Sequence, residues 1–205
     1  MAKKFNQIYQ FKITLEEIKQ KIWRRIQVPG EYNFWDLHVA IQDAMGWSDS
    51  HLHQFELINS EAGKKEIVGI PEQEYGEVAM DDHKTLAGWE LKLDDYFTIP
   101  DNEQIPYLYD FGDSWRHLIK FEGIYPRNEN KKYPLCLDGE RACPPEDCGG
   151  VGGYENFLEI INNPQHEEHQ SMLEWAGGSF DSEKFNPQNV HFDNPKKRWK
   201  IAFES

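Results

Sequence analysis

The sequence has no long hydrophobic run, no export-type start and few cysteines. No apolar segment approaches the roughly 20 residues that a helix needs to span a bilayer. The basic start is not followed by the apolar stretch of a signal peptide. Three cysteines, an odd number, favour reduced thiols or a bound metal over a disulfide scaffold. We therefore expect a cytoplasmic protein without a membrane partner.

Positive charge is also scarce. Lys and Arg number 22 against 36 Asp and Glu, which gives a net charge of -14. An acidic protein repels the phosphate backbone, so a nucleic acid is not an expected partner. The clear basic run is Lys196-Lys197-Arg198 with Lys200, and we interpret residues 193–205 as a solvated tail. The expected partner is another protein or a small molecule.

The motifs of several large enzyme classes are absent. There is no Gly-Lys-Ser/Thr phosphate loop, no nucleophile elbow and no dinucleotide-binding fingerprint. The triplet Asp110-Phe111-Gly112 matches one kinase motif, but no Gly-rich loop, strand lysine or His-Arg-Asp sequence accompanies it. Any catalytic function must therefore use another arrangement of side chains.

Aromatic residues are abundant and predict a substantial core. They make up 14% of the 205 residues, with seven Trp, and the length fits one domain, which we place at 1–205. The densest aromatic stretch is Tyr107–Phe121, where apolar residues alternate on both sides of Gly112-Asp113. This pattern predicts a β-hairpin whose tight turn uses the positive φ that Gly112 can adopt.

The first 60 residues predict a hairpin, a helix and a third strand. Apolar and polar residues alternate at both ends of Tyr9–Val28, the pattern of two half-buried strands. Asn33 is a predicted N-cap for a helix that Gly46 ends. His38 lies on the apolar stripe of this helix, so we predict a hydrogen-bonded core histidine. The strand-like run His51–Ile58 follows, an order that resembles the start of a β-grasp arrangement.

The middle of the chain predicts short elements and a long loop. We expect a polar turn at Glu61–Lys65, a short strand at Ile67–Ile70, and either one helical turn or a short strand at Thr85–Leu93. Residues 126–153 are rich in Gly, Pro and Cys, which is typical of a long ordered loop or of a linker.

Two helices are predicted after this loop, over Tyr154–Ile161 and about Gln165–Ala176. The predicted fold class is therefore α+β. A mixed sheet is opened by a β-grasp-like N-terminal hairpin and helix, and the central β-hairpin belongs to the same sheet. The helical C-terminal part is tied down by the cysteine-containing loop.

Five side chains near the ends of predicted strands are the candidates for a catalytic site: His51, His53, Asp110, Asp113 and His117. His51 and His53 point to one face of a strand, a spacing that suits metal ligation. The other three could hold a metal or perform acid–base chemistry at the hairpin tip. Alternatively, Asp113 caps backbone amides and Asp110 pairs with an arginine. We predict that His117 and at least one of His51 and His53 converge in one pocket.

The cysteines form a second candidate site. Their spacing is Cys136-x6-Cys143-x4-Cys148, without the Cys-x-x-Cys pair of zinc ribbons. Three thiolates completed by a histidine could bind zinc. Alternatively, the three cysteines are small buried residues within a rigid loop.

Several short segments carry a family resemblance. They are Ile22-Trp23-Arg24-Arg25 with Val28-Pro29, Leu37-His38, Ile41-Gln42, Met45-Gly46-Trp47, His51-Leu52-His53-Gln54-Phe55, Tyr109 to Trp115 with His117, Cys136 to Gly150, Gly153-Tyr154, Trp175 and Phe180-Asp181. In this order they resemble the plasmid pRiA4b ORF-3-like family. The cysteine segment alone is highly specific.

The resemblance implies one family-wide domain in a mainly prokaryotic family without an established activity. Some members occur on plasmids and mobile elements, and a few carry a resolvase label. This sequence lacks the nucleophilic serine with an arginine cluster and the helix-turn-helix that a serine resolvase needs. The resemblance also implies that the histidine, aspartate and cysteine candidates belong to the family's shared signature.

Two functions are compatible with these observations. The first is a cytoplasmic binding or accessory module without chemistry of its own, which the missing catalytic motifs and the aromatic-rich, acidic composition favour. The alternative is a metal-assisted hydrolase that uses the His/Asp set.

Overall fold

The computed structural model describes residues 6–58, 65–71, 85–98 and 104–204. Eight strands form one sheet in the order β5-β4-β3-β6-β7-β1-β2-β8. Their bounds are β1 Gln7–Leu15, β2 Trp23–Pro29, β3 His53–Ile58, β4 Lys65–Gly69, β5 Thr85–Ala87, β6 Gln104–Tyr109, β7 Trp115–Pro126 and β8 Leu135–Glu140. The β4–β5 pair is parallel and the other pairs are antiparallel, so the sheet is mixed.

Five α-helices accompany the sheet in the described part of the chain. They are α1 Phe34–Met45, α2 Leu93–Tyr96, α3 Gly150–Ile161, α4 His169–Trp175 and α5 Pro195–Glu204. The predicted α+β class is confirmed. None of the described helices is both long and apolar enough to cross a bilayer.

The N-terminal hairpin and helix form as the sequence predicts. β1 and β2 pair in antiparallel register. The Asn33 side chain accepts from the Asp36 backbone N–H at 2.8 Å, while the Asp36 carboxylate accepts from the Asn33 backbone N–H, which is a capping box. Gly46 ends α1 with a left-handed φ of 90°. Both ends of the helix were therefore encoded locally.

Helix α1 is the centre of the core. Ten of its twelve residues are buried, so it contacts protein on nearly all sides rather than along one stripe. Phe34 packs edge-on against Phe55 of β3 with ring centroids 5.2 Å apart, and His38 reaches Tyr107 of β6. The helix therefore packs on the face of the sheet that carries Phe55 of β3 and Tyr107 of β6.

The central hairpin consists of β6 and β7, with Tyr107 opposite His117 and Tyr109 opposite Trp115. The expected use of Gly112 at the turn is wrong. The left-handed residues are Asp110 and Ser114, each with φ of 56°. Asp tolerates this region because its carboxylate can bond backbone amides just ahead, and here Asp110 Oδ1 accepts from Gly112 N at 2.9 Å.

Two further expectations need correction. Residues 126–153 are ordered, but they are not only loop, because β8 lies within them and extends the sheet beside β2. Residues 193–205 are not simply a solvated tail. Pro195–Glu204 form α5, which packs on α1 through its aromatic residues and Arg198. The charge pattern alone did not predict this helix, because its aromatic residues and Arg198 are interspersed with lysines.

The bounds of several short elements differ from the predicted ones. The second C-terminal helix begins at His169 rather than near Gln165, after two hydrogen-bonded turns. Thr85–Ala87 is a strand, and Leu93–Tyr96 is a single helical turn. The predicted polar turn at Glu61–Lys65 lies outside the described residues except for Lys65.

Two glycines in the first turn of α3 give a matched test of how closely this helix abuts the cysteine-containing loop. A Cβ on Gly153 would lie 1.8 Å from the Cys148 carbonyl oxygen, whereas a Cβ on Gly152 would meet no atom within 4 Å. We predict that Gly153→Ala lowers the free energy of unfolding by about 1–3 kcal/mol through steric overlap. Gly152→Ala should raise it by about 0.5–1 kcal/mol through helix propensity. Urea unfolding of both variants checks this, and equal effects would contradict the packing.

Candidate metal-binding site

Three loops meet at the tip of the central hairpin. They are the α1–β3 loop (residues 47–52), the β6–β7 turn (residues 110–114) and the segment before α3 (residues 144–149). The Asp110 backbone N–H donates to the Leu52 carbonyl oxygen at 2.9 Å, which joins the first two loops. The Gly149 backbone N–H donates to Asp113 Oδ2 at 3.1 Å, which joins the second and third. We call this junction the three-loop site.

Three donor groups converge there, one from each loop. His51 Nε2 lies 2.8 Å from Asp147 Oδ1 and 3.6 Å from Asp110 Oδ2. The three donor atoms lie within 4.8 Å of one another, and no other His, Cys, Asp or Glu triplet among the described residues does so. His51 is partly exposed and Asp147 is exposed, so the cluster opens to solvent on one side.

The Asp110 carboxylate is fixed before any ligand binds. The residue is 7% exposed, and its Oδ1 accepts from the backbone N–H groups of Gly112 and Asp113 at 2.9 and 3.3 Å. This leaves Oδ2 turned toward His51 at a distance too long for a hydrogen bond. Asp110 is therefore held by its own turn with one oxygen presented to the three-loop site.

The spacing of the donors suits a metal ion. Two ligands held at about 2.1 Å from one ion are about 3.0 Å apart at a right angle and about 3.4 Å apart at the tetrahedral angle. The two separations from His51 Nε2, 2.8 Å to Asp147 and 3.6 Å to Asp110, bracket these values. One imidazole and two carboxylates are ligands that Zn²⁺ and other divalent first-row ions accept.

Electrostatics at the site agree with a cation-binding role. Desolvation alone would lower the pKa of His51, but the hydrogen bond with Asp147 and the charges of Asp110 and Glu146 raise it above its usual value. The local carboxylates thus favour a positive charge beside them.

Glu146 anchors the third loop rather than facing the donors. Its carboxylate accepts from the Tyr109 hydroxyl, the Ser48 hydroxyl and, at 2.9 Å, the Ser48 backbone N–H. Desolvation would raise the pKa of Glu146, but the hydrogen bonds from Ser48 and Tyr109 lower it. A charged Glu146 therefore links the loop that carries Asp147 to the loop that carries His51.

The remaining candidates from the sequence take other places. Asp113 accepts the Gly149 N–H and acts as a loop tie. His53 and His117 are buried on the same face of the sheet, because His53 lies opposite Tyr109 and His117 opposite Tyr107. Both imidazoles contact the Tyr107 ring, with centroids 6.2 and 5.3 Å away. They share a face as the convergence prediction requires, but they lie within the core rather than with His51 at the surface.

A hydrogen-bonded chain passes through the core beside these histidines. A carboxylate can only accept, so His38 donates from Nε2 to Asp49 Oδ1 at 2.6 Å. The neutral ring then accepts at Nδ1 from the Tyr107 hydroxyl at 2.8 Å, and that hydroxyl accepts from Gln42 Nε2 at 2.9 Å. The other Asp49 oxygen lies 3.5 Å from Arg198. His38 is thus a hydrogen-bonded core histidine, as predicted.

The buried histidines are neutral. His53 stacks on His38 with ring centroids 3.4 Å apart and planes 9° from parallel. Burial lowers the pKa of both well below the usual value, and it lowers the pKa of His117 to about 4. His117 Nδ1 donates to the Trp115 carbonyl oxygen at 3.1 Å. These groups shape the core and are poor acid–base catalysts near neutrality.

The three cysteines hold separate positions in their loop. The Cys136 thiol contacts the Asp138 carbonyl oxygen at 3.6 Å, the Cys143 thiol contacts the Met45 sulfur at 3.6 Å, and the Cys148 thiol contacts the Gly150 carbonyl oxygen at 3.9 Å. Burial raises the pKa of Cys136 to about 11 and of the other two to about 12. For the zinc site that was one of the two alternatives for these cysteines, the described residues show no assembled donor triplet.

Sequence reasoning did not find Asp147. It lies 96 positions from His51, inside the cysteine segment, where the three cysteines are the candidate ligands from the sequence. The only local signal was its place between Pro144-Pro145 and Gly149-Gly150, residues that set a rigid, sharply turning backbone. Its partnership with His51 depends on tertiary contacts.

A family model for plasmid pRiA4b ORF-3-like proteins matches residues 7–189. The chain belongs to this family. The resemblance seen in its sequence segments is thereby confirmed.

Two relatives cover nearly the whole chain. The uncharacterized protein y4hQ of Sinorhizobium fredii (strain NBRC 101917 / NGR234) is 34% identical over 195 residues, 94% of each protein. The crystal structure of MM3350, a protein of unknown function from Methanosarcina mazei Go1, matches with a TM-score of 0.81 and 43% identity over 92% of this chain and 99% of that one. Neither name states an activity.

The neutral state of His117 predicts a pH dependence of stability. A histidine whose folded pKa is depressed stabilises the protein above the unfolded pKa near 6.5, and this contribution is lost as the pH falls toward 4. Between pH 7 and pH 5 the loss from His117 alone should be about 2 kcal/mol. We expect His117→Gln to be less stable at pH 7 but to lose about 2 kcal/mol less on acidification.

Urea unfolding at the two pH values in the presence of EDTA measures this slope. His166→Gln, at a half-exposed position outside the core, is the control and should follow the unmodified protein. Parallel curves for His117→Gln and the unmodified protein would contradict a neutral buried imidazole.

Proposed function

We propose that this protein binds a divalent metal ion through His51, Asp110 and Asp147 and uses it in a hydrolytic reaction. The observation that carries the proposal is the mutual spacing of the three donor atoms at the three-loop site. Three protein ligands leave coordination positions for water and substrate, as in catalytic rather than structural metal sites. A bound divalent ion would polarise a substrate oxygen and lower the pKa of a coordinated water.

Each donor has a distinct role in this proposal. Asp110 is the preorganised ligand, because its turn holds it in place. His51 is the partly exposed ligand and Asp147 the exposed one, and they hydrogen-bond each other until a metal separates them. Glu146, already bound to Tyr109 and Ser48, supports the frame rather than acting as a base.

Backbone strain supports a functional role for this junction. Asp110 and Asp147 have φ values of 56° and 59°, and Asp49 in the α1–β3 loop has 63°. Non-glycine residues in this region cost of order 1 kcal/mol or more, and they cluster where geometry is set by function. Three aspartates in this conformation within one junction favour a built site over an accidental group of acids.

A binding or accessory module without chemistry is the second candidate. It is favoured by Leu52 and Phe111, which directly follow His51 and Asp110 and are 52% and 49% exposed. Both side chains are therefore available for contact with a partner next to the polar cluster. A link to plasmids or mobile elements rests on the family description alone. A cytoplasmic location fits the three unpaired thiols.

The proposal predicts metal binding that depends on the three donors. After EDTA treatment and dialysis, Zn²⁺ and Mn²⁺ should each bind with one-to-one stoichiometry in calorimetric titrations. His51→Ala and Asp147→Asn should each weaken binding by at least about 100-fold, since even the loss of groups that only orient a ligand costs roughly 10–100-fold.

The control is Asp113→Asn. It removes one negative charge from the same junction but leaves an oxygen that can accept the Gly149 N–H. Equal losses in Asp113→Asn and Asp147→Asn would mean that diffuse charge, not ligation, attracts the ion. Metal binding without metal-dependent cleavage of chromogenic ester, amide and phosphodiester substrates would favour the binding module.

A further inference from the structure

The C-terminal helix contacts the loop that carries His51. α5 lies beyond residue 189, where the family match ends. It is held on α1 by Trp35, whose Nε1–H donates to the Pro195 carbonyl oxygen at 3.2 Å and whose ring packs against Phe203 at 5.4 Å. The same Phe203 ring packs against Trp89 at 5.2 Å. Aromatic contacts therefore fix α5 in a defined position on the core.

Arg198 is the polar centre of this docking. Its Nη2 lies 2.7 Å from Asp43 Oδ1 and 2.6 Å from Asp193 Oδ2, and its Nη1 lies 3.5 Å from Asp49 Oδ2. The Arg198 side chain is 16% exposed, and those of Asp43 and Asp49 are 5% and 6% exposed. One guanidinium thus neutralises two buried carboxylates from different segments, α1 and the α1–β3 loop.

Asp49 transmits this contact to the three-loop site. It precedes His51 by two residues and has a left-handed φ of 63°. Its second oxygen is bound by His38 Nε2 at 2.6 Å. The neighbouring Ser48 and Ser50 hydroxyls lie 2.7 Å apart, and Ser48 binds Glu146. Arg198 and Glu146 therefore contact neighbouring residues of the same short loop.

We propose that Arg198 is a positioning residue for the metal site: by holding Asp49, α5 fixes the loop that presents His51. This inference rests on the metal binding proposed above. Without Arg198, the buried Asp49 carboxylate loses a cation, and such a group reorganises or becomes hydrated. His51 would then have to be ordered when the metal binds, which lowers affinity because ligands are best held by rigid supports.

The test is Co²⁺ binding to the full-length protein, followed by visible absorption, which reports the coordination geometry, and by titration. We expect Arg198→Gln to bind Co²⁺ about tenfold more weakly, at the low end of the roughly 10–100-fold cost of removing groups that orient a ligand. Its absorption spectrum should also change. Arg198→Lys, which keeps the charge without the planar fork, should recover part of the affinity.

The matched control is Asp43→Asn. It weakens the attachment of Arg198 to α1 but leaves Asp49 and its contacts in place, so it should lower thermal stability without changing Co²⁺ affinity or spectrum. Equal losses of affinity in Asp43→Asn and Arg198→Gln would mean that Arg198 only stabilises the fold, and would overturn the inference. Unchanged Co²⁺ binding in Arg198→Gln would overturn it as well, while leaving the metal site intact.

If the unmodified protein binds no Co²⁺, the metal site itself fails, and the positioning role fails with it. If Arg198→Gln does not fold, the comparison of Arg198→Lys with Asp43→Asn decides the question. Weaker Co²⁺ binding only in Arg198→Lys supports the inference, and identical binding in the two variants contradicts it.

Discussion

The burial of His38 between α1 and the sheet is the constraint on which the rest of the structure depends. A neutral imidazole in the core requires a donor on one side and an acceptor on the other. Tyr107 and Asp49 supply them, and the second Asp49 oxygen lies 3.5 Å from the Arg198 guanidinium. One core histidine therefore fixes the placement of a strand, a loop and the C-terminal helix.

The hydrogen-bonded network of Tyr107, His38 and Asp49 connects the core to the surface cluster, but none of these residues is a donor in that cluster. Asp49 lies in the same loop as His51, and Tyr109, which neighbours the core network, binds Glu146 beside Asp147. The exposed donors thus stand on supports that are themselves buried and hydrogen-bonded. Such an arrangement, an open group of ligands on a rigid frame, is the geometry that metal and ligand sites need.

Much of the fold could be predicted because its signals are local. The cap at Asn33, the stop at Gly46 and the alternation in the strands each depend on residues a few positions apart. The errors arose where local signals compete. Gly112 appeared suited to the turn, but Asp110 stabilises its own left-handed conformation through backbone bonds. The lysines near the C-terminus masked a helix that packs through aromatic residues and Arg198.

The sequence by itself determined the α+β class and the central hairpin, because periodicity and capping are short-range properties. It indicated that His51, His53 and His117 lie near this hairpin. It also identified His51 and Asp110 as members of a possible site. Only the tertiary structure decided that Asp147 joins them, while His53 and His117 lie in the core and no cysteine belongs to the donor triplet in the described residues. The reason is physical: the donors come from loops up to 96 positions apart, and their meeting depends on strand register and loop docking rather than on any local pattern.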